Sequence, residues 1–260
     1  MNLVFLTSES PHHLFLINEI HKVHPVKKVF FQTRQESARR WNSRFRRLLR
    51  ISRLRYQLRA ILRRLLFARE DRLGREYESR MFFGGRQPAL DPAIPKERVF
   101  SFNAPEAVKA VRKEAPDLAV VFGTEILRGE ILGVARMQIL NIHRDILPDY
   151  RGGGMPFWVF YNNDFEALGT TLHVCAEKLD AGAIVGQKRY KLVKGDRAYM
   201  LRYKTTLLSL EILQEVILRY IDGTVQYTPQ PKTRLWTSKK MTIVKELIAR
   251  RNFNRYVSGL

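Results

Sequence analysis

An asparagine and a histidine stand two residues apart after a short apolar run, and their side chains could support acyl transfer. They are Asn141 and His143, which follow the letters "MQIL". On a strand, residues at this spacing project from the same face. An amide can donate a hydrogen bond to a developing oxyanion, and an imidazole can accept a proton or stabilise negative charge. Such a pair often only forms hydrogen bonds with the nearby backbone. These two residues alone therefore mark a candidate site and do not establish one.

Three further motifs follow this pair in order along the chain. They are Leu147-Pro148-Asp149-Tyr150-Arg151-Gly152, Gly169-Thr170-Thr171 and Leu179-Asp180-Ala181-Gly182-Ala183-Ile184. Together with Asn141-Ile-His143, they resemble the catalytic half of the folate-dependent formyltransferase family. That family includes methionyl-tRNA formyltransferase, glycinamide ribonucleotide formyltransferase and the nucleotide-sugar N-formyltransferases. The resemblance covers roughly residues 119–187.

The resemblance implies a catalytic trio of Asn141, His143 and Asp180. The formyl donor would be N10-formyltetrahydrofolate and the acceptor a primary amine, with no metal involved. Asn141 and His143 would stabilise the oxyanion of a tetrahedral intermediate. We expect Asp180 to orient His143 and to favour its protonated form, because a nearby negative charge raises the pKa of a histidine.

Two loops and the start of the chain supply the predicted binding residues. By the resemblance, the folate lies between the loop after a buried strand and the Asp-x-Gly loop. The predicted folate-binding residues are Phe122, Gly123, Thr124, Glu125, Ile126, Leu127, Leu179, Ala181 and Gly182. The predicted acceptor-binding residues are Ser10, His12, His13, Tyr150, Arg151 and Gly152.

The first of these acceptor residues precede a helix, where free backbone amides favour anions such as a nucleotide-sugar diphosphate. Simple capping by Ser10, with Pro11 in the first turn, is the alternative. The chain departs from the family at Arg144-Asp145, where relatives commonly have Pro-Ser, and this concerns the acceptor side more than the reaction. His173 and Cys175 are interpreted as structural residues of a strand.

Strand and helix patterns alternate along the chain, which predicts an α/β fold. We expect a Rossmann-like, mostly parallel sheet with flanking helices, an inserted basic helix and a small C-terminal appendage. Sites in such sheets lie beyond the carboxyl ends of the strands. The predicted domains are a catalytic domain over 1–190, with a helical insertion over about 34–80, and a C-terminal helix with an appendage over 191–260. Other predicted helices begin at Asn103, with Glu106 completing a capping box, cover "EILRGEIL", run from about Asp196 to Tyr220, and end the chain.

The inserted segment is strongly basic. Residues 34–69 hold thirteen arginines and one acid, Glu36, within a chain of net charge +21. Apolar residues at steps of three or four place one apolar stripe on a helix: Trp41, Phe45, Leu48, Ile51, Leu54, Leu58, Ile61 and Leu65. Three interpretations stay open, namely a helix packed on the domain, an interfacial helix on anionic lipid, and a site for RNA or another acidic partner.

Composition and length narrow the biological setting. The single cysteine fits a reducing cytoplasm, and neither a signal peptide nor an apolar run that spans a bilayer is recognised. No complete tRNA-binding barrel is recognised after the long helix, so the favoured acceptor is a nucleotide-linked amino sugar for a surface polysaccharide such as an O-antigen. A position at the inner membrane and a homodimer are further expectations. The alternatives are a methionyl-tRNA or glycinamide ribonucleotide formyltransferase, a formyltetrahydrofolate hydrolase, and a non-catalytic basic protein that binds RNA or lipid.

Overall fold

A seven-stranded sheet forms the centre of the protein. The computed structural model describes residues 1–33, 46–153 and 156–260. The strands are β1 (Leu3–Thr7), β2 (Val26–Gln32), β3 (Lys96–Val99), β4 (Leu118–Phe122), β5 (Gln138–Arg144), β6 (Arg151–Gly152), β7 (Gly169–Val174), β8 (Ile184–Arg189) and β9 (Leu235–Trp236). The helices are α1 (Pro11–Val23), α2 (Arg46–Phe83), α3 (Pro105–Lys113), α4 (Phe157–Tyr161), α5 (Leu201–Ile221) and α6 (Ile243–Ser258).

The sheet is mostly parallel, which confirms the predicted α/β, Rossmann-like class. Its strand order is β3-β2-β1-β4-β5-β7-β8. The first five strands in this order pair in parallel, and β7 and β8 complete the sheet antiparallel. Strands β1 and β4 read "LVFLT" and "LAVVF" and are buried at every position. Continuous apolar runs of this kind are typical of parallel strands that are covered on both faces.

Helices cover the two faces of the sheet. Helices α1 and α5 contribute Leu16 and Ile217 to one apolar core, and α3 contributes Val111 to the other. Helix α5 lies beyond the predicted boundary at residue 190, yet it packs against α1 and strands β7 and β8. The division of the chain at that boundary stays a prediction.

The basic insertion contains the longest helix, α2. The predicted stretch 34–45 lies outside the described residues, and the helix runs from Arg46 to Phe83. Ile61 and Leu65 are the two members of the predicted apolar stripe whose side chains are described, and both are exposed. The helix contacts α1 and α5 further along its length, where Phe82 is buried. Among the described residues, no helix combines the length and apolar character needed to cross a bilayer.

The C-terminal appendage packs beside the catalytic loops. Helix α6 lies against α4, where the rings of Phe253 and Phe160 are both fully buried with centroids 4.7 Å apart. Strand β9 pairs with β6, so that Leu235 lies opposite Arg151. The last segment of the chain therefore supports the loop that follows β5.

Three predicted helix boundaries are corrected. The stretch "EILRGEIL" forms only a 3₁₀ turn over Gly129–Gly133. Helix α5 begins at Leu201, because Asp196 lies in a turn before it and accepts a hydrogen bond from the backbone N–H of Val193. Helix α3 begins after Ala104, and Asn103 makes no capping box.

Candidate active site

Strand β5 carries Asn141 and His143 to its carboxyl end. Strand β7 runs antiparallel beside it, and the register places His173 directly opposite Asn141. His143 and His173 are both buried, and Asn141 is half-buried. His173 was interpreted from the sequence as structural, yet it faces the same cavity as the predicted pair. Only the strand register, which the sequence does not reveal, brings it there.

The loop between β7 and β8 brings Asp180 to these residues, as the resemblance implies. Its Oδ2 lies 3.6 Å from Nδ1 of His143 and accepts a 2.9 Å hydrogen bond from the backbone N–H of Gly152. Gly182 allows the loop to approach the sheet, because a Cβ there would lie 1.9 Å from the carbonyl oxygen of Val174. The Asp-x-Gly spacing therefore has a steric reason at its glycine and an electrostatic one at its aspartate.

The hydrogen bonds of His143 assign its tautomer. Its Nε2–H donates to the carbonyl oxygen of Tyr150 at 2.8 Å. A neutral ring with the proton on Nε2 leaves the lone pair of Nδ1 directed toward Asp180. A second proton taken up at Nδ1 would therefore lie beside the carboxylate of Asp180, which would stabilise the charged ring.

The side chain of Asn141 is oriented by two partners. Its Nδ2 lies 3.0 Å from Nε2 of His173 and 3.4 Å from Oδ1 of Asp180. The Nδ1–H of His173 donates to the carbonyl oxygen of Val174, so in the neutral ring Nε2 is an acceptor. Both amide hydrogens of Asn141 are thus directed to His173 and Asp180, and its carbonyl oxygen remains for a ligand.

Burial and charge set the protonation states in opposite directions. Burial lowers the pKa of His143, and the opposing effect of Asp180, though present as expected, is smaller. The expectation that Asp180 favours the protonated form of His143 is therefore confirmed in direction, and burial outweighs this effect on the pKa. Burial raises the pKa of Asp180, but the neighbouring imidazoles of His173 and His143 and the hydrogen bond from the backbone N–H of Gly152 lower it, and the net shift is downward. The resting pair at neutral pH is a neutral imidazole beside a carboxylate.

A cavity of about 350 Å³ opens over these side chains. It lies within the usual range for small-molecule sites, about 300–1,000 Å³. The predicted folate loop forms one wall, with Phe122, Gly123, Thr124, Glu125, Ile126 and Leu127, and Leu179 lies on the Asp180 side. Ala181 and Gly182, also predicted to bind folate, are not among its lining residues. The cavity is thus lined by residues of both predicted loops and by the predicted catalytic trio.

The predicted folate loop forms hydrogen bonds with residues outside it. The Glu125 carboxylate accepts hydrogen bonds from the Ser101 hydroxyl and the backbone N–H of Phe102. Asn103, which makes no capping box, instead accepts from the backbone N–H of Arg128 and donates to the carbonyl oxygen of Ile126. Within the described ranges, the backbone N–H of Ile126 has no hydrogen-bond partner. A free donor on the cavity wall fits a ligand that is held by backbone groups.

The predicted acceptor residues fall into two groups. His13 and Gly152 line the cavity, whereas Ser10 and His12 do not. Ser10 stands at the N-cap of α1, but its side chain caps no backbone N–H. Burial lowers the pKa of His13 to about 4 and lowers that of His12 as well, so neither ring carries positive charge at neutral pH. The histidines at the start of α1 therefore provide no positive charge to hold an anion.

Tyr150 and Arg151 are not among the residues that line the cavity, but each forms a hydrogen bond with a residue that does. The carbonyl oxygen of Tyr150 fixes His143, and Arg151 donates to the carbonyl oxygen of Leu179 at 2.6 Å. Cys175 also lines the cavity, where burial raises its pKa to about 12. A thiol that stays protonated is not a nucleophile.

This geometry is that of an α/β enzyme whose ligand site lies beyond the carboxyl ends of the strands. A family model for formyl transferases matches residues 89–217, which contain the predicted catalytic trio and both predicted folate loops. Over this segment, the chain is similar to the formyl transferase family.

Solved structures of similar fold include several sugar N-formyltransferases. One from a Shewanella species has a TM-score of 0.57 at 14% identity and covers 97% of this chain and 87% of that chain. A 4-N formyltransferase from Francisella tularensis has a TM-score of 0.58 at 14% identity, covering 96% and 86%. WlaRD, a sugar 3N-formyl transferase solved in the presence of dTDP and 5-N-formyl-THF, has a TM-score of 0.58 at 14% identity, covering 98% and 81%. At these identities the likeness is one of fold.

Proposed function

We propose that the protein transfers a formyl group from N10-formyltetrahydrofolate to the primary amine of a nucleotide-linked amino sugar. The observation that carries this proposal is the cluster of Asn141, His143 and Asp180 under a cavity bounded by the two predicted folate loops. The similar structure solved with 5-N-formyl-THF supports a folate as the donor. The match to the formyl transferase family supports the reaction.

In the proposed reaction the amine nitrogen bonds to the formyl carbon, and the bond from that carbon to N10 of the folate breaks. Asn141 orients the amine by accepting one of its N–H groups at Oδ1. His143 takes the proton released by the amine at Nδ1, where Asp180 stabilises the imidazolium. The same proton then passes to N10. The oxyanion is stabilised by the charged His143 and by the amide of Asn141 once its longer contact, 3.4 Å to Asp180, opens.

The acceptor class rests on the similar structures and on the chain itself. Three of those structures are sugar N-formyltransferases or a 4-N formyltransferase, and one was solved with a nucleoside diphosphate. After helix α5 the described chain contains one helix longer than a single turn, α6, and the short strand β9. This segment differs from the barrel that is expected of a methionyl-tRNA formyltransferase. We place the product in the assembly of a surface polysaccharide, such as an O-antigen, in the cytoplasm.

An acceptor panel tests the proposed function. Purified protein and N10-formyltetrahydrofolate are mixed with amino sugars, free and nucleotide-linked, and with glycinamide ribonucleotide and charged initiator tRNA as comparison acceptors. We expect release of tetrahydrofolate that depends on a nucleotide-linked amino sugar. Release that depends only on the ribonucleotide or the tRNA would contradict the sugar acceptor. Release at the same rate without any amine would indicate a hydrolase, and failure to bind the folate would contradict the reaction itself.

We also propose that the exposed part of α2 holds the enzyme at an anionic membrane surface. Leu62, Leu65 and Leu66 are 48%, 73% and 49% exposed, and Arg64 and Arg69 are exposed beside them. Exposed aliphatic side chains between arginines suit the interface of an anionic bilayer. The location at the inner membrane rests on this surface.

Co-sedimentation with vesicles tests the membrane contact. We expect the wild-type protein to sediment with vesicles that contain phosphatidylglycerol and to stay in solution with neutral vesicles. The triple variant Leu62→Gln, Leu65→Gln, Leu66→Gln should lose this binding, whereas Leu218→Gln, at a 50% exposed position on α5, should keep it. Equal binding by the triple variant and the control would refute the contact, and the RNA alternative would then be tested with the same variants. Light scattering of the same samples tests the proposed homodimer.

A further inference from the structure

A second cavity lies behind the catalytic strand, and nothing in the proposed reaction accounts for it. It has a volume of about 430 Å³ and lies between α2, α5 and the loop that follows β5. We call it the arginine cavity after five of its lining residues, Arg63, Arg75, Arg144, Arg202 and Arg250. Its wall on α2 belongs to the inserted segment, which the family resemblance does not cover.

Three of the five arginines are already paired with carboxylates. Arg202 lies 3.1 Å from Glu78, and Arg63 lies 3.1 Å from Glu246. Arg250 pairs with Glu246 at 2.9 Å and also with Glu70. These pairs are partly or fully sheltered from solvent, so they hold their arginines in place along the cavity wall.

Arg75 and Arg144 differ from the other three. Among the described residues, neither makes an ion pair or donates a side-chain hydrogen bond. Burial, followed by the charge of Arg202, lowers the pKa of Arg144 to about 10, so it still carries its charge at neutral pH. A half-buried guanidinium without a hydrogen-bonded partner is costly, because the nearby charges of Asp145 and Glu78 only partly offset the water that it has lost. An anionic ligand would supply the missing partner.

Arg144 also connects the arginine cavity to the active site. Of the residues that the structure describes, it alone lines both cavities, and it follows His143 directly in β5. Its backbone lies on the catalytic strand, while its side chain lies near Glu78 and Arg202 of the helices behind it. A molecule whose amine reaches His143 could therefore place a charged group beside Arg144.

A further unpartnered group points to the same place. Oδ2 of Asp145 is buried without a hydrogen-bond partner in the described structure, and Asp145 lines the arginine cavity next to Arg144. Burial raises the pKa of Asp145 well above its ordinary value. A protonated carboxyl can donate its O–H to an anion, so Asp145 is compatible with a negatively charged ligand.

We propose that the arginine cavity binds the phosphate or diphosphate group of the acceptor through Arg75 and Arg144. The planar guanidinium donates two parallel hydrogen bonds to a phosphate, and two unpaired arginines match the charge of a diphosphate. This inference rests on the proposed function for the identity of the acceptor. It places the anion on α2 and β5 rather than at the start of α1, where His12 and His13 are neutral.

Calorimetric titration with inorganic pyrophosphate tests the site without any formyl transfer. At about 0.15 M salt, which screens exposed charges, we expect saturable binding to the whole protein. Arg75→Ala and Arg144→Gln should each weaken it by about tenfold or more, as expected for a lost charge-assisted hydrogen bond. Arg72→Ala is the matched control, because Arg72 is an exposed residue of α2 that does not line the cavity.

The outcomes separate this inference from the proposed function. Pyrophosphate that does not bind, or that binds equally to the wild type and the Arg75→Ala variant, overturns the arginine cavity as a phosphate site. If Arg144→Gln fails to fold, as circular dichroism would report, Arg75→Ala decides alone, since Arg75 is exposed. Pyrophosphate binding that depends on Arg75 in a protein that transfers no formyl group would support the cavity and contradict the proposed reaction.

Steady-state kinetics provide a second test of phosphate binding in the arginine cavity. With a nucleotide-diphosphate amino sugar as acceptor, Arg75→Ala should raise KM by about tenfold or more and leave kcat little changed, because a remote binding contact is lost. With the free amino sugar, which lacks the diphosphate, any slow residual transfer should have the same rate in the variant and in the wild type. An equal loss with both acceptors would contradict a role for the cavity in phosphate binding.

Discussion

At the residue scale, the proposed reaction depends on a neutral His143 beside an ionised Asp180. Burial lowers the pKa of the histidine, while its partners keep the pKa of the aspartate low. The ring is therefore ready to accept a proton at neutral pH, and the carboxylate is ready to stabilise the charged product. A fully solvent-exposed pair at the same distance would start with a more basic histidine and a weaker interaction.

We expect His143 to titrate below 6.5, the ordinary value for a histidine. A folded-state pKa below the unfolded value means that the neutral ring is favoured by folding, so protonation occurs only as the pH falls through the lowered value. The measurement is an NMR titration of the histidine C–H signals, with His143→Gln used to assign the resonance. A midpoint at or above 6.5 would contradict the balance of burial and charge described for the site.

Asp145 offers a test of stability at the same scale. Its pKa is raised on folding, so its ionised form destabilises the folded state, and the wild-type stability falls as the pH rises above 3.8 toward the raised value. Asp145→Asn keeps the shape, removes the charge and tolerates the positive φ of 101°. We expect it to increase the free energy of unfolding at pH 7 by about 1–3 kcal/mol, with the difference shrinking in acid.

Urea unfolding at several pH values measures this difference. Asp149→Asn, at an exposed position in the same loop, is the matched control and should change little. A destabilised Asp145→Asn variant at pH 7 would mean that the ionised carboxylate has a stabilising partner.

The sequence predicts the trio of Asn141, His143 and Asp180, because its motif spacing resembles a known family. It does not predict His173 as a member of the site, since that depends on which residues of β5 and β7 face each other. Asn103 illustrates the same difficulty, because its side chain could either cap a helix or hold a loop, and the second outcome depends on a loop more than twenty residues away. Local patterns identify candidate side chains, and only tertiary contacts decide their partners.

At the element scale, helix α6 stabilises the catalytic half of the molecule. Phe253 is fully buried against Phe160 of α4, and α4 follows the loop that contains Arg151 and Gly152. We expect Phe253→Ala to reduce the free energy of unfolding by about 3–5 kcal/mol, the usual cost for a buried phenylalanine. Denaturant unfolding measures this loss.

The control for α6 is Leu247→Ala, which changes a 46% exposed side chain on the same helix. This substitution should alter stability little, because few buried contacts are removed. Similar effects of the two variants, or a Phe253→Ala variant as stable as the wild type, would show that α6 does not stabilise the domain.

The inserted helix shows what the spacing of apolar residues can and cannot predict. The arginine-rich pattern predicts a helix, and α2 is the longest helix of the described chain. Its apolar stripe gives no information on which turns pack, and the described members Ile61 and Leu65 are exposed while the contacts with α1 and α5 occur nearer its end. Packing depends on the shape of the surface opposite, which the insertion itself does not encode.

At the scale of the whole molecule, two cavities meet at one residue of the catalytic strand. The sequence predicts the parallel sheet from alternating strands and helices. The pairing of β1 with β4 follows from the full topology, as does the placement of α2 residues and Arg144 around one cavity. The sequence motifs do not predict the arginine cavity, because its arginines come from four separate elements, α2, β5, α5 and α6.

The most direct test of the account compares formyl transfer and folate binding in one set of variants. With N10-formyltetrahydrofolate and the nucleotide-linked amino sugar that is active in the panel, His143→Gln and Asn141→Ala should each lower kcat/KM by about 10²–10³-fold. Binding of the folate, followed by fluorescence, should persist in both variants. Unchanged transfer in both would contradict the assignment of Asn141, His143 and Asp180 as the site of formyl transfer.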